Sequence, residues 1–74
     1  MFRELDQVVL MRDLPEFGLA AGDLGTVVHV YPGGRAYEVE FAALGGETVA
    51  VVTLPADAVR SISPREIAHV RAVV

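Results

Sequence analysis

The sequence predicts a mainly β chain, a small barrel of five strands, and three observations carry that expectation. A loop punctuated by Gly18 and Gly22 runs directly into the β-branched segment from Leu24 to Tyr31. Two Gly-Gly pairs, Gly33-Gly34 and Gly45-Gly46, stand between apolar runs and read as hairpin turns, because two central residues at positive φ suit a type I′ turn. The registers that these turns impose agree on one inner face, which is what a sequence specifying a single sheet should show.

Taken in order, Asp6 to Arg12 encloses the apolar run Val8-Val9-Leu10-Met11, which suits a first strand covered on both sides. Asp13 to Asp23 contains Pro15, Gly18 and Gly22 without periodicity and reads as a long irregular loop. Asp23 is expected to accept a backbone hydrogen bond in the turn that closes it. The second strand runs from about Leu24 to Tyr31. A two-residue turn at Gly33-Gly34 sets Val30 opposite Tyr37, Val28 opposite Val39 and Thr26 opposite Phe41. A two-residue turn at Gly45-Gly46 sets Phe41 opposite Ala50, Val39 opposite Val52 and Tyr37 opposite Leu54. These residues form the expected core face. The other face holds Val27, His29, Tyr31, Glu38, Glu40, Val49, Val51 and Thr53, and a β-bulge would exchange part of the two sets.

Leu54 to Arg60 ends the fourth strand, makes one 3₁₀ turn and enters a short fifth strand around Val59 to Ile62. Residues 1–62 are thus assigned to the barrel and 63–74 to a tail packed on the barrel or on a partner. Ser63-Pro64-Arg65-Glu66 fits an N-cap serine, proline at the first helical position and glutamate at the third, which predicts a helix. Ile67, Val70, Arg71 and Val74 would then share a face. The alternation from Ala68 to Ala72 and the many valines support an extra strand as the alternative.

Seventy-four residues make one domain, and ordering it costs on the order of 100 kcal/mol of conformational entropy. The chain is 53% hydrophobic. With glycine included and tyrosine left out, the apolar share is about 59%, against about 45–50% in ordinary soluble domains. A barrel this small cannot hide that much apolar surface, and no cysteine is available to staple it. The expected relief is self-association or a protein partner covering an exposed patch. The charged N-terminus and the lack of a long apolar run imply no signal peptide and no membrane span, so a cytoplasmic protein is expected. The net charge is −4, and all six basic residues are arginines scattered from Arg3 to Arg71, which disfavours nucleic acid as a partner.

The order Val8-Val9-Leu10, Asp13-Leu14-Pro15-Glu16, Gly22-Asp23-Leu24-Gly25-Thr26-Val27-Val28-His29-Val30-Tyr31, Ala36-Tyr37-Glu38-Val39-Glu40-Phe41 and Thr48-Val49-Ala50-Val51-Val52-Thr53-Leu54 resembles domain-of-unknown-function family 4926. The resemblance covers about Leu5 to Arg60 and implies a short prokaryotic protein with an SH3-like barrel. It implies no activity and no catalytic residue, and it leaves the tail from Ser63 outside. The expected fold is therefore a five-stranded SH3-like β-barrel with a C-terminal helix or extra strand.

Several residues invite a chemical reading. His29 falls opposite Glu38, but a metal needs three or four ligands and the only other histidine is His69 in the tail, so a surface cross-strand pair is expected. Glu38 and Glu40 share a face at a spacing of two, which fits a solvated strand better than an acid/base pair. The glycines sit in hairpins and not between a strand and a helix, so no phosphate loop is implied. Tyr31 and Phe17 remain for an aromatic groove once Tyr37 goes to the core. No catalytic, cofactor-binding or metal-ligating residue is assigned and no cofactor is expected. The reading is a non-enzymatic protein-interaction module whose candidate interface is Val27, Tyr31, Val49, Val51, Ile67 and Val70, meeting a second copy or another protein. The alternatives are an antitoxin or immunity-type inhibitor of a neighbouring toxin, suggested by small size and acidity, and a nucleic-acid-binding SH3-like barrel.

Overall fold

Alternating β-branched and aromatic positions fold into five strands: β1 (Gln7–Leu10), β2 (Leu24–Val30), β3 (Ala36–Ala42), β4 (Thr48–Pro55) and β5 (Val59–Arg60). The computed structural model describes residues 1–73; Val74, the last residue of the expected tail face, lies outside them. The strands form one antiparallel sheet in the order β4-β3-β2-β1-β5. β4 and β5 stand at its two ends without pairing, so the barrel is open along that seam. Single 3₁₀ turns at Pro15–Phe17, Pro32–Gly34 and Ala56–Ala58 complete the regular structure among the described residues. None of these is a helix long and apolar enough to cross a membrane.

The expected register holds between β3 and β4, where Tyr37 pairs with Leu54, Val39 with Val52 and Phe41 with Ala50. It holds for that stretch although the turn differs. Gly45 does not take positive φ; Gly46 alone does, at 96°. The Ala43 N–H donates to the Glu47 carbonyl at 2.7 Å and the Gly46 N–H to that of Ala43 at 2.9 Å, which encloses a three-residue loop. That loop shifts the pairing by one residue, Ala42 facing Thr48, and an irregularity between Ala42 and Phe41 shifts it back.

Between β2 and β3 the expectation needs a correction. Val30 pairs with Tyr37 and His29 with Glu38 as expected, but a bulge between His29 and Val27 sets Val27 opposite Val39 and Thr26 opposite Glu40. The bulge flips the strand: Val27 is 0% exposed in the core, whereas Val28, expected inside, is 38% exposed. Both glycines of the first hairpin do take positive φ, within the 3₁₀ turn that follows Tyr31.

The core joins Val8 and Leu10 of β1, Val27 of β2, Tyr37, Val39 and Phe41 of β3, Val52 and Leu54 of β4, and Ala58 and Val59, with Leu19 contributed by the long loop. Phe2 packs edge-on against Tyr37 with ring centroids 5.4 Å apart, and its N–H donates to the Tyr37 hydroxyl at 3.2 Å. Gly25 lies where the core is tightest. A Cβ there would stand 2.5 Å from Val39 Cγ1 and 2.9 Å from Phe41 Cε1, so the glycine of Gly22-Asp23-Leu24-Gly25-Thr26-Val27 is required by close approach.

The tail forms neither the expected helix nor an added strand among the described residues. Half of the capping box is present: the Ser63 N–H donates to Glu66 Oε1 at 2.7 Å, but the Glu66 N–H donates to the Ser63 backbone carbonyl at 3.1 Å and not to the serine hydroxyl. One turn forms and no helix follows it. Three of the next five residues, Ile67, His69 and Val70, are β-branched or aromatic and lose side-chain freedom in a helix, and Arg71 is anchored elsewhere.

Candidate interaction surface

The tail crosses one side of the barrel and is held by two arginine–carboxylate forks of opposite polarity. Near its start, Glu66 accepts from Arg60 of β5, Nη1 to Oε1 at 2.9 Å and Nη2 to Oε2 at 2.6 Å. Further on, Arg71 donates from Nε to Asp23 Oδ1 at 2.9 Å and from Nη2 to Asp23 Oδ2 at 2.6 Å, with a further bond from Nη2 to the Gly18 carbonyl at 2.9 Å. Paired donors on a planar guanidinium match paired carboxylate oxygens, so each fork fixes direction as well as proximity. The Arg60 fork, helped by the Ser63 N–H, holds the Glu66 carboxyl down to about 2. The Arg71 fork, with the Ala20 N–H, holds Asp23 below the usual carboxylate range against a smaller opposing effect of burial.

The barrel side of the second fork is prepared by the long loop. Asp23 Oδ2 accepts the Ala20 N–H at 2.8 Å, as expected of the aspartate that closes the turn, and Asp13 Oδ1 accepts the Ala21 N–H at 2.8 Å. Leu14 and Leu19 bridge across the base of the 3₁₀ turn, and the Gly22 N–H donates to the Leu10 carbonyl at 2.8 Å.

Between tail and barrel lies a half-open cleft of about 1120 Å³. Val9, Leu24, Val49 and Ile62 line it from the barrel side and Ile67 and Val70 from the tail. Val9 explains the apolar run of β1: its neighbours Val8 and Leu10 enter the core, while Val9 is buried at the cleft. The tail leaves much of its own apolar surface outside, Ile67 being 94% and Val70 69% exposed.

Of the six residues expected at an interface, the structure gathers Val49, Ile67 and Val70 around this cleft. Val27 is withdrawn from the set, because the bulge in β2 buries it fully in the core. Val51 and Tyr31 lie away from the cleft lining. Val51 pairs with Glu40 and is 49% exposed. Tyr31 donates its hydroxyl to Glu38 Oε1 at 3.2 Å and meets His29 edge-on at 4.7 Å. The six expected residues therefore do not form one continuous surface beside the tail. His29 does face Glu38, as a cross-strand pair, while His69 lines the cleft. No group of three or more His, Asp or Glu among the described residues could hold a metal ion. The two forks and the contribution of Val9 and Leu24 were missed in the sequence, where acid and base stand 6 and 48 residues apart.

The model for the domain of unknown function DUF4926 matches residues 4–61. The chain belongs to that family. The DUF4926 match takes in all five strands and the Asp23 loop, and it leaves residues 62–74 outside. No curated protein and no solved structure is significantly similar to the chain.

Proposed function

We propose that the protein is a non-enzymatic protein-interaction module, and that the cleft between barrel and tail is its contact surface. The observation that carries this reading is the exposure of Ile67 and Val70 beside an apolar cleft walled by Val9, Leu24 and Val49. A folded chain of this size gains nothing from holding such side chains in water, and an apolar surface rimmed by polar groups is a common form of protein contact site. Here the rim is polar: Asp23, Arg71, Arg60 and Glu66 all border the cleft. The partner is a protein surface able to cover apolar residues and meet a charged rim.

Photo-crosslinking of the full chain in its native cells tests this. A photoreactive residue at Val70 is expected to give a discrete protein adduct, and one at Ala56, exposed on a turn outside the cleft, is expected to give none. No adduct from position 70, or equal labelling from both positions, would overturn the reading.

A further inference from the structure

We propose that Asp23, the Gly18 carbonyl and the apolar floor of the cleft form a binding site for an extended arginine-bearing segment of a partner protein, and that the chain's own tail occupies it in the resting state. The proposal rests on the interaction reading above and names the chemistry of the partner.

The site belongs to the barrel and the occupant does not. Asp23 and Gly18 lie inside the family-matched region, and Arg71 lies outside it. The loop that carries the site is bonded within itself and to β1: Ala20 to Asp23, Ala21 to Asp13, Gly22 to Leu10, and the Leu10 N–H to the Asp23 carbonyl at 2.9 Å. None of these bonds involves the tail, so the receptor stands whether or not Arg71 is seated. Its acceptors ask for a guanidinium. Two carboxylate oxygens and a carbonyl take three donated bonds from Nε and Nη2 of one side chain, a planar pattern that a lysine ammonium cannot reproduce.

The occupant is seated without being integrated. Among the described residues, the only backbone–backbone bond in the tail is the local one from Glu66 to Ser63, and none joins residues 67–73 to the barrel. The hold is made by side chains, and a segment offering the same side chains can replace it. The chain's net charge of −4 adds long-range attraction for such a basic segment. The tethered tail competes at an effective concentration on the order of millimolar, so an outside segment binds the intact chain weakly and gains when Arg71 is removed.

The test uses the full chain and a labelled synthetic peptide with the sequence of residues 67–73, followed by fluorescence anisotropy and amide chemical shifts. Arg71→Ala is expected to bind the peptide about tenfold or more tighter than the natural chain, with shifts centred on Gly18, Ala20 and Asp23. The same peptide with citrulline in place of arginine, equal in shape but neutral, is expected to lose about tenfold or more. Adding Asp23→Asn to the Arg71→Ala chain should abolish binding while melting stays unchanged, since asparagine keeps an acceptor for the Ala20 N–H. Equal affinity of both chains, or equal binding of the citrulline peptide, overturns the proposal. So does light scattering that shows the natural chain as a dimer and Arg71→Ala as a monomer, because the occupant is then a second copy's tail. A photo-adduct at position 70 that survives Asp23→Asn would remove this proposal and leave the interaction reading standing.

Discussion

Single residues in this chain are constrained by what touches them more than by their type. Gly25 is the clearest case, since its missing Cβ leaves room for Val39 and the Phe41 ring. Gly25→Ala is expected to destabilise the barrel by about 1–3 kcal/mol through overpacking, read as a lower denaturant midpoint at unchanged slope; an unchanged midpoint would mean that the two side chains can retreat. Glu66 is constrained by charge. Its docked carboxyl is held at about 2 against an ordinary 4.5, by the Arg60 guanidinium first and the Ser63 N–H second. A carboxyl depressed in the docked state stabilises docking above its free value and loses that contribution as pH falls through the docked one. The start of the tail should therefore stay in place at pH 4.5 and let go as pH approaches 2, with Asp23 acting in the same direction at the other fork. The Ser63 and Glu66 amide shifts would follow this. A midpoint near 4.5 would show that the fork does not form in solution.

At the scale of elements, the β2 bulge decides which valine is core. Val27→Ala should cost about 2 kcal/mol, and Val28→Ala less than about 0.5 kcal/mol as a surface change. The reverse order, measured by chemical unfolding, would restore the unbroken register and remove the bulge. This contrast also marks how far the sequence was legible. Alternation and glycine pairs were enough to place β3 against β4 and to set His29 opposite Glu38, because those registers run from turns outward. Val27 and Val28 are adjacent and chemically identical, so no pattern of residue types distinguishes the one that turns inward; the crowding around Gly25 and Val39 does. The tail was misread for a related reason. Its Ser63 N–H does meet the Glu66 carboxylate, but a cap satisfies only the first turn and does not supply the packing that a short helix needs. For the candidate site, Val49, Ile67 and Val70 could be read as surplus apolar surface. Asp23 and Arg71 could not be paired, since nothing local links residues 48 positions apart.

For the molecule as a whole, the two forks divide the chain into a barrel that holds the core and a tail that is fastened to it. Among the described residues, none of the tail belongs to the buried core cluster. The tail reaches the body through Arg60–Glu66 and Arg71–Asp23, with a further bond from Arg71 to the Gly18 carbonyl. Because both forks hold one segment, opening either leaves the tail tethered near the other, and the two should couple rather than add. Glu66→Gln alone should loosen residues 62–66 while Arg71 stays seated. Arg71→Ala alone should loosen the distal half. The double variant should free the tail, lowering the backbone order parameters of residues 67–72 to those of an unstructured chain. Through all three variants the amides of Val27 and Val39 should keep their protection, and barrel stability should move by less than about 0.5 kcal/mol. Loss of protection in the barrel along with the tail would mean that the two unfold as one unit. The tail would then be part of what holds the core together and not a segment free to yield its place.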